Sequence, residues 1–216
     1  MDFGKSEQDI LRKIMIWRRD VRGHHFSQEP VSDETVKVLL EAAILAPSVG
    51  FSQPWRFVVV KDPALRKRVK ESFDRTNELS AKAFTLDKGR KYRNLKLEGI
   101  LEAPINIAVF YSDTGEPVLG REAMPETGPY SVVCAIQNMW LMARAHNLGL
   151  GWVSILDSGR VSSILSAPRN MRLIAYLCIG YLNAYDDEPE LKKKGWERAV
   201  PMDDLVFTDG FSELLH

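Results

Sequence analysis

LAPSVGFSQPWRFVVV, residues 45–60, joins three kinds of local structure in one short run. Pro47 cannot continue a helix, so an upstream helix must end by that point. Ser48 and the following backbone N–H groups are then presented at the helix end, and Gln53 adds both a donor and an acceptor. Pro54 stiffens the entry to WRFVVV, residues 55–60, whose valines and aromatics predict a buried strand. A rigid loop leading into a strand would use Gln53, Pro54 and Trp55 in the same way, so the two readings are compatible.

Upstream, Ser32 can cap a helix, because Asp33 and Glu34 fall in its first turn. Val36, Leu39, Leu40, Ala43 and Ala46 then form one apolar stripe. Further upstream, residues 7–17 predict a first helix from Ile10, Leu11, Ile14 and Trp17. It is closed by RRDVRGHHF, residues 18–26. Arg18, Arg19 and Arg22 place fixed positive charge where a helix hands over to a loop, and guanidinium forks suit phosphate oxygens. Taken alone, such a cluster is more often a solvated basic helix end.

Downstream, Pro63 opens a third helix with Leu65, Val69 and Phe73 on its apolar side. DKGRKYRNLKLEGILE, residues 87–102, mixes a basic half with Leu95, Leu97, Ile100 and Leu101, and suits a mobile cover. INIAVFY (105–111), GWVSILD (151–157) and LIAYLCIGYLN (173–183) predict further strands, and residues 112–129 a loop. SVVCAIQNMWLMARAHN, residues 131–147, is apolar on nearly every side, as in a core or subunit interface. After Asn183 the chain turns polar, and such a tail must lie on the body of the protein or on a second chain. Four or five strands alternate with helices too irregularly for a doubly wound sheet, which predicts an α+β fold with a central helix and a C-terminal arm.

Composition narrows the function. The 216 residues are 45% hydrophobic, with 29 Lys+Arg against 29 Asp+Glu. One domain of ordinary globular composition is expected, and zero net charge gives no bulk signal for nucleic acid or a membrane surface. No apolar run approaches the roughly 18 residues of a spanning helix, and the N-terminus lacks a secretory pattern, so a cytoplasmic protein is expected. Cys134 and Cys178 lie in apolar runs and are expected as buried thiols. No metal spacing is evident, and GxGxxG, the Walker loop and HExxH are absent.

The Arg-rich turn, capped helix, APS, QPW and strand, in that order, resemble the FMN-dependent nitroreductase superfamily. Phe51 stands where many members carry asparagine, and Asp20 where serine is usual. RRDVRGHHF, APSVGFSQPWRF, LKLEGILEAP (95–104), GREAMPETGPYSVVCAIQNMWLMAR (120–144) and GLGWVSILD (149–157) resemble one family within it, the flavin-fragmenting 5,6-dimethylbenzimidazole synthases, over about residues 10–205.

The resemblance implies a nitroreductase-like fold: a central, mostly antiparallel sheet flanked by helices, with a cover at about 85–103. A C-terminal arm at about 184–216 would be exchanged in a homodimer. It implies reduced FMN as substrate, O2 as co-substrate and no metal, with 5,6-dimethylbenzimidazole and erythrose 4-phosphate as products. A separate flavin reductase would supply the reduced FMN. By the same match, Arg18, Arg19 and Arg22 would hold the phosphate, with Val21 contributing through its backbone. Asp20 would act on the ribityl chain as a proton-transfer group, the alternative being simple pairing with its arginines. Ser154 would stand near the flavin ring, the alternative being a strand serine bonded to backbone. Ser48 and Gln53 match flavin-contacting positions, Leu95 would cover the ring, and Arg198 would reach the phosphate. A conventional NAD(P)H nitroreductase or flavin reductase, and a non-enzymatic flavin carrier, are the competing readings.

Overall fold

The computed structural model describes residues 1–211. The chain divides into two compact units, Met1–Tyr185 and a second beginning at Asp186. The last five residues of the expected arm, His216 among them, lie outside the described residues.

The first unit is built on a four-stranded antiparallel sheet in the order β1-β2-β4-β3. Its strands are β1 (Trp55–Val60), β2 (Ile105–Ser112), β3 (Gly149–Val153) and β4 (Met171–Gly180). β2 is buried at every position, because helices cover both faces of this central strand. Alternation along β2 and β4 separates two cores. Ile107, Val109 and Leu177 pack with Leu39 and Ala43 of α2 (Asp33–Ile44) and with Val132, Ile136 and Met139 of α5 (Thr127–Ala145). Ala108, Phe110, Tyr176 and Cys178 pack with Val69 and Phe73 of α3 (Pro63–Ala81) and with Val161 of α6 (Ser158–Ile164).

The helix starts follow their sequence signals. Ser32 Oγ accepts from the Thr35 amide at 3.1 Å, and Asp62 Oδ1 from the Ala64 amide at 2.7 Å with Pro63 in the first turn. α2 ends at Ile44, before Pro47 makes further helix impossible. The expected cover is a helix, α4 (Leu86–Arg93), followed by an irregular run up to Pro104. Both parts are tied to α3. Tyr92 Oη donates to Asn77 Oδ1 at 2.7 Å, and the Arg66 guanidinium donates to the carbonyls of Ile100, Leu101 and Ala103.

Of the two settings expected for α5, a core or a subunit interface, immersion in the core of one chain holds for one side only. One face enters the core, while Tyr130, Val133, Cys134 and Gln137 are exposed at helical spacing. Cys134 is therefore not the buried thiol expected from its apolar neighbours; Cys178 is. Burial also pushes the Cys178 thiol far above its ordinary pKa. α1 (Lys5–Trp17) buries none of its residues, and Leu11, Met15 and Ile16 stand exposed. A single chain thus leaves apolar faces uncovered on two helices. Among the described residues, no helix is long and apolar enough to cross a membrane.

The second unit contains a short helix, α7 (Glu190–Lys193), and a 3-10 turn at Met202–Asp204. Lys193 Nζ lies 3.1 Å from Asp186, and Lys194 Nζ 2.5 Å from Glu190.

Candidate active site

The Arg-rich turn is fastened to the sheet. Residues 18–22 leave α1 in extended conformation, and Asp20 forms a parallel bridge with Leu150 on the edge strand β3. The Val21 amide donates to the Leu150 carbonyl at 3.1 Å. Gly151 makes the approach possible: a Cβ there would lie 2.1 Å from the Val21 carbonyl oxygen. Asp20 Oδ1 accepts the Trp152 amide at 2.9 Å, and its second oxygen pairs with Arg22. Arg22 is more buried than its partner, the two side chains being 11% and 35% exposed. Its other terminal nitrogen reaches the Trp152 carbonyl at 3.4 Å.

The three arginines are not equivalent. Arg19 turns back over the end of α1, donating to the carbonyls of Ile16 at 2.6 Å and Arg18 at 2.9 Å, as a cation at a helix C-terminus does. Arg22 is engaged as above. Arg18 lies over the Trp140 ring, 5.0 Å from its centroid, and its guanidinium has no hydrogen bond among the described residues. It is the fork of the three with donors free for an anion.

Ser154 follows the end of β3 and is exposed. It lies two residues beyond Trp152, about 7 Å along an extended chain from the amide that holds Asp20. Its carbonyl accepts the Leu156 amide at 2.9 Å.

Ser48 and Gln53 form a second group. Ser48 Oγ accepts the Gln53 amide at 3.1 Å, and the Val49 amide donates to Ser131 Oγ of α5 at 3.0 Å. Gly50, Phe51 and Gln53 have φ of 53°, 54° and 45°. Two non-glycine residues in left-handed conformation make this a strained loop. The Gln53 side chain is exposed, and its carboxamide makes no hydrogen bond among the described residues.

The two groups sit at different levels of α5. Ser131 anchors the Ser48 loop, whereas Trp140 Nε1 donates to the Arg19 carbonyl at 3.0 Å. Nine residues of helix separate those anchors, about 13 Å along the axis. A cleft of about 1060 Å³ between Tyr111, Arg121, Tyr130 and Arg172 includes none of the candidate flavin-site residues named from the sequence.

Leu95 is half-buried at the start of the irregular run. This run meets the Arg-rich turn at Gly23, whose amide donates to the Glu98 carbonyl at 2.9 Å. Beneath the junction is a charge cluster that sequence reading missed. Lys96 Nζ lies 2.7 Å from both Glu98 and Glu102, and Glu98 also accepts the Ile100 amide at 2.8 Å. The two glutamates that follow Lys96 in LKLEGILE, two and six residues on, were the available signal. Burial raises the Glu102 carboxyl, but its hydrogen bonds to Lys96 and to its own backbone, together with the charges of Lys96 and Lys70, outweigh this and hold it below its ordinary value. Burial likewise lowers Lys96, and its bonds to Glu102 and Glu98 bring it above the usual lysine value.

A Lys96→Met variant leaves Glu98, 3% exposed, without its counter-charge. Because Lys96 is partly open to solvent and Glu98 keeps the Ile100 amide, the variant should lose about 1–3 kcal/mol at pH 7, read by urea unfolding. Glu102's depressed value gives stability that is present above the unfolded carboxylate pKa and lost as pH falls through the folded one. The raised Lys96 gives stability present below the unfolded lysine pKa and lost as pH rises through the folded one. The deficit of the variant should therefore be largest between about pH 5 and pH 10 and shrink in acid. A deficit independent of pH down to pH 3 would contradict the charge pairing.

Arg198 belongs to the second unit, where its amide donates to Glu197 Oε1 at 3.4 Å.

Residues 15–181 match the nitroreductase family, and the chain belongs to it. Its fold is the α+β, nitroreductase-like one. Within that family it groups with the 5,6-dimethylbenzimidazole synthases. The enzyme of that name from Rhodospirillum rubrum is 45% identical over 201 residues, covering 92% of this chain and 94% of that protein. One from Rhodobacter capsulatus is 39% identical over 203 residues, covering 93% and 97%. Oxidized iodotyrosine deiodinase bound to FMN and 3-iodo-L-tyrosine superposes with a TM-score of 0.70 at 23% identity, over 82% of this chain and 91% of that one, a likeness of fold.

Proposed function

We infer that this chain is a 5,6-dimethylbenzimidazole synthase, which takes reduced FMN and O2 and releases 5,6-dimethylbenzimidazole and erythrose 4-phosphate. Identity of 45% and 39% to synthases of that name over nearly the whole chain supports the reading. The observation that carries it is Asp20, a carboxylate fixed by the Trp152 amide and Arg22 in a turn that also offers the free Arg18 fork.

The residues present fit FMN. Arg18 binds the phosphate, and Val21, laid along β3, fixes the turn through its backbone. The exposed Gln53 amide suits a ring edge that needs both donor and acceptor. Bound reduced FMN supplies both the carbon skeleton of the product and electrons for O2. Asp20 accepts and returns protons at its carboxylate, which is 35% exposed and so accessible from the site. Ser154 orients or relays a proton through its hydroxyl, close to Asp20 along β3. The segment carrying Leu95 excludes water, held in place by Glu98 and Arg66.

The active form is a homodimer. The Ser48–Gln53 group and the Arg18–Asp20 group stand about 13 Å apart along α5, and the apolar stripe of α5 lies uncovered between them. A two-fold pairing of this face would bring the first group of one copy toward the second group of the other. Sedimentation should give twice the mass of the 24.5 kDa chain, and Val133→Glu should yield monomers that no longer retain flavin. A wild-type monomer with full activity would refute the dimer.

Fragmentation differs from nitroreductase or flavin reductase chemistry in the fate of the flavin. Under air with reduced FMN in excess over protein, total flavin should fall by more than one equivalent of protein. Complete recovery of FMN, with rapid NADPH oxidation on adding a nitrofuran, would instead identify a nitroreductase.

A further inference from the structure

We propose that Trp140 is a positioning residue that sets the preference of this site for a phosphorylated flavin, by holding Arg18 in the orientation that meets the phosphate. The proposal rests on the flavin-binding reading above and assigns one of its determinants to a residue outside the Arg-rich turn.

Trp140 touches the turn at two points. Its ring face lies under Arg18, 5.0 Å from the guanidinium carbon, and its Nε1–H donates to the Arg19 carbonyl at 3.0 Å. The ring is itself braced by Trp152, with centroids 6.4 Å apart at 49°, and the Trp152 amide holds Asp20. Arg18 therefore has a fixed platform on one side, while all its donors stay uncommitted. That combination is what a fork for a dianion requires. A guanidinium stacked on an aromatic face is immobilised without losing a hydrogen bond, so little rotamer freedom remains to be lost when phosphate arrives.

Arg19 and Arg22 cannot substitute for it, since their guanidiniums are occupied by Ile16, Arg18, Asp20 and Trp152. Loss of the platform would leave Arg18 on a free side chain. The energetic consequence falls on the phosphate alone, not on the ring system of the ligand.

The test compares FMN with riboflavin, which lacks only the phosphate, by quenching of flavin fluorescence on the full-length protein. Wild type should bind FMN more tightly. Arg18→Ala should bring the two affinities close together. Trp140→Leu should lower FMN affinity about tenfold, with riboflavin affinity unchanged. Trp140→Phe, which keeps a ring face and loses the N–H, should retain more of the preference than Trp140→Leu. Circular dichroism melts confirm that each variant is folded, and the phenylalanine variant serves where leucine is not.

Equal loss for both flavins in Trp140→Leu would overturn the proposal, because it would make Trp140 a general scaffold residue. Phenylalanine as poor as leucine would also overturn it, by placing the effect in the bond to Arg19. A wild-type protein that binds neither flavin would instead remove the flavin reading on which the proposal stands.

Discussion

Asp20→Asn is expected to abolish release of 5,6-dimethylbenzimidazole, lowering the rate by about 10²–10⁴-fold, while FMN still binds. Asparagine has nearly the same shape, and its carbonyl oxygen can still accept the Trp152 amide that Asp20 Oδ1 accepts at 2.9 Å. It cannot take up a proton near neutral pH, and its other side is an NH2 donor that offers the Arg22 guanidinium no acceptor. Removing a negative charge beside a phosphate fork takes away a repulsion toward the anion and leaves the Arg18 fork in place, so FMN affinity should stay within a few-fold of wild type. The measurement is a pair: flavin affinity by fluorescence, and product by chromatography. If Asp20 served only to hold Arg22, the asparagine variant would lose binding and product together. Ser154→Gly should resemble Asp20→Asn, with a smaller effect on product and none on the melting temperature, because the exposed hydroxyl makes no core contact.

Gly151→Ala is expected to have the largest structural effect. The added Cβ would meet the Val21 carbonyl oxygen at 2.1 Å and the Val21 carbonyl carbon at 3.2 Å. Both are backbone atoms, so no side chain can swing aside to make room. The turn would have to leave β3, breaking the Val21–Leu150 hydrogen bond and carrying Asp20 away from the Trp152 amide. A loss of more than about 3 kcal/mol is expected, at the upper end for overpacking. That corresponds to a fall in Tm of roughly 6 °C or more for a chain of this length. Purified Gly151→Ala should carry no flavin. Gly159→Ala is the control, since its Cβ would make an ordinary contact at 3.4 Å.

The elements were legible where one local rule decided them. Ser32 and Asp62 mark helix starts because a side-chain oxygen satisfies an amide that the helix leaves unpaired, and both do so in the structure. β1 was readable from WRFVVV because valine and aromatic residues fit a pleated, buried surface. α5 was harder. Its residues are apolar on nearly every side, and periodicity alone cannot distinguish a helix immersed in one core from a helix shared between two bodies. Cys134 was misplaced for that reason.

Within the site, the positions of Asp20, Ser154, Ser48 and Gln53 followed from motif resemblance, but their partners did not. The Trp152 amide, the Trp140 ring and the Glu98 carbonyl come from segments about 70–130 residues away from the turn they support. Single-residue spacing carries no trace of such contacts, because they are fixed by the order in which strands pair. The unequal roles of Arg18, Arg19 and Arg22 were equally hidden, since they depend on which carbonyls the end of α1 and β3 happen to expose.

The central claim is that the flavin ring is dismantled and not merely oxidised. The most direct measurement is to mix purified protein with chemically reduced FMN in air-saturated buffer, then assay 5,6-dimethylbenzimidazole by chromatography and mass. Product formed with wild type and absent with Asp20→Asn is the predicted result. Only oxidised FMN and hydrogen peroxide, with no 5,6-dimethylbenzimidazole, would contradict it.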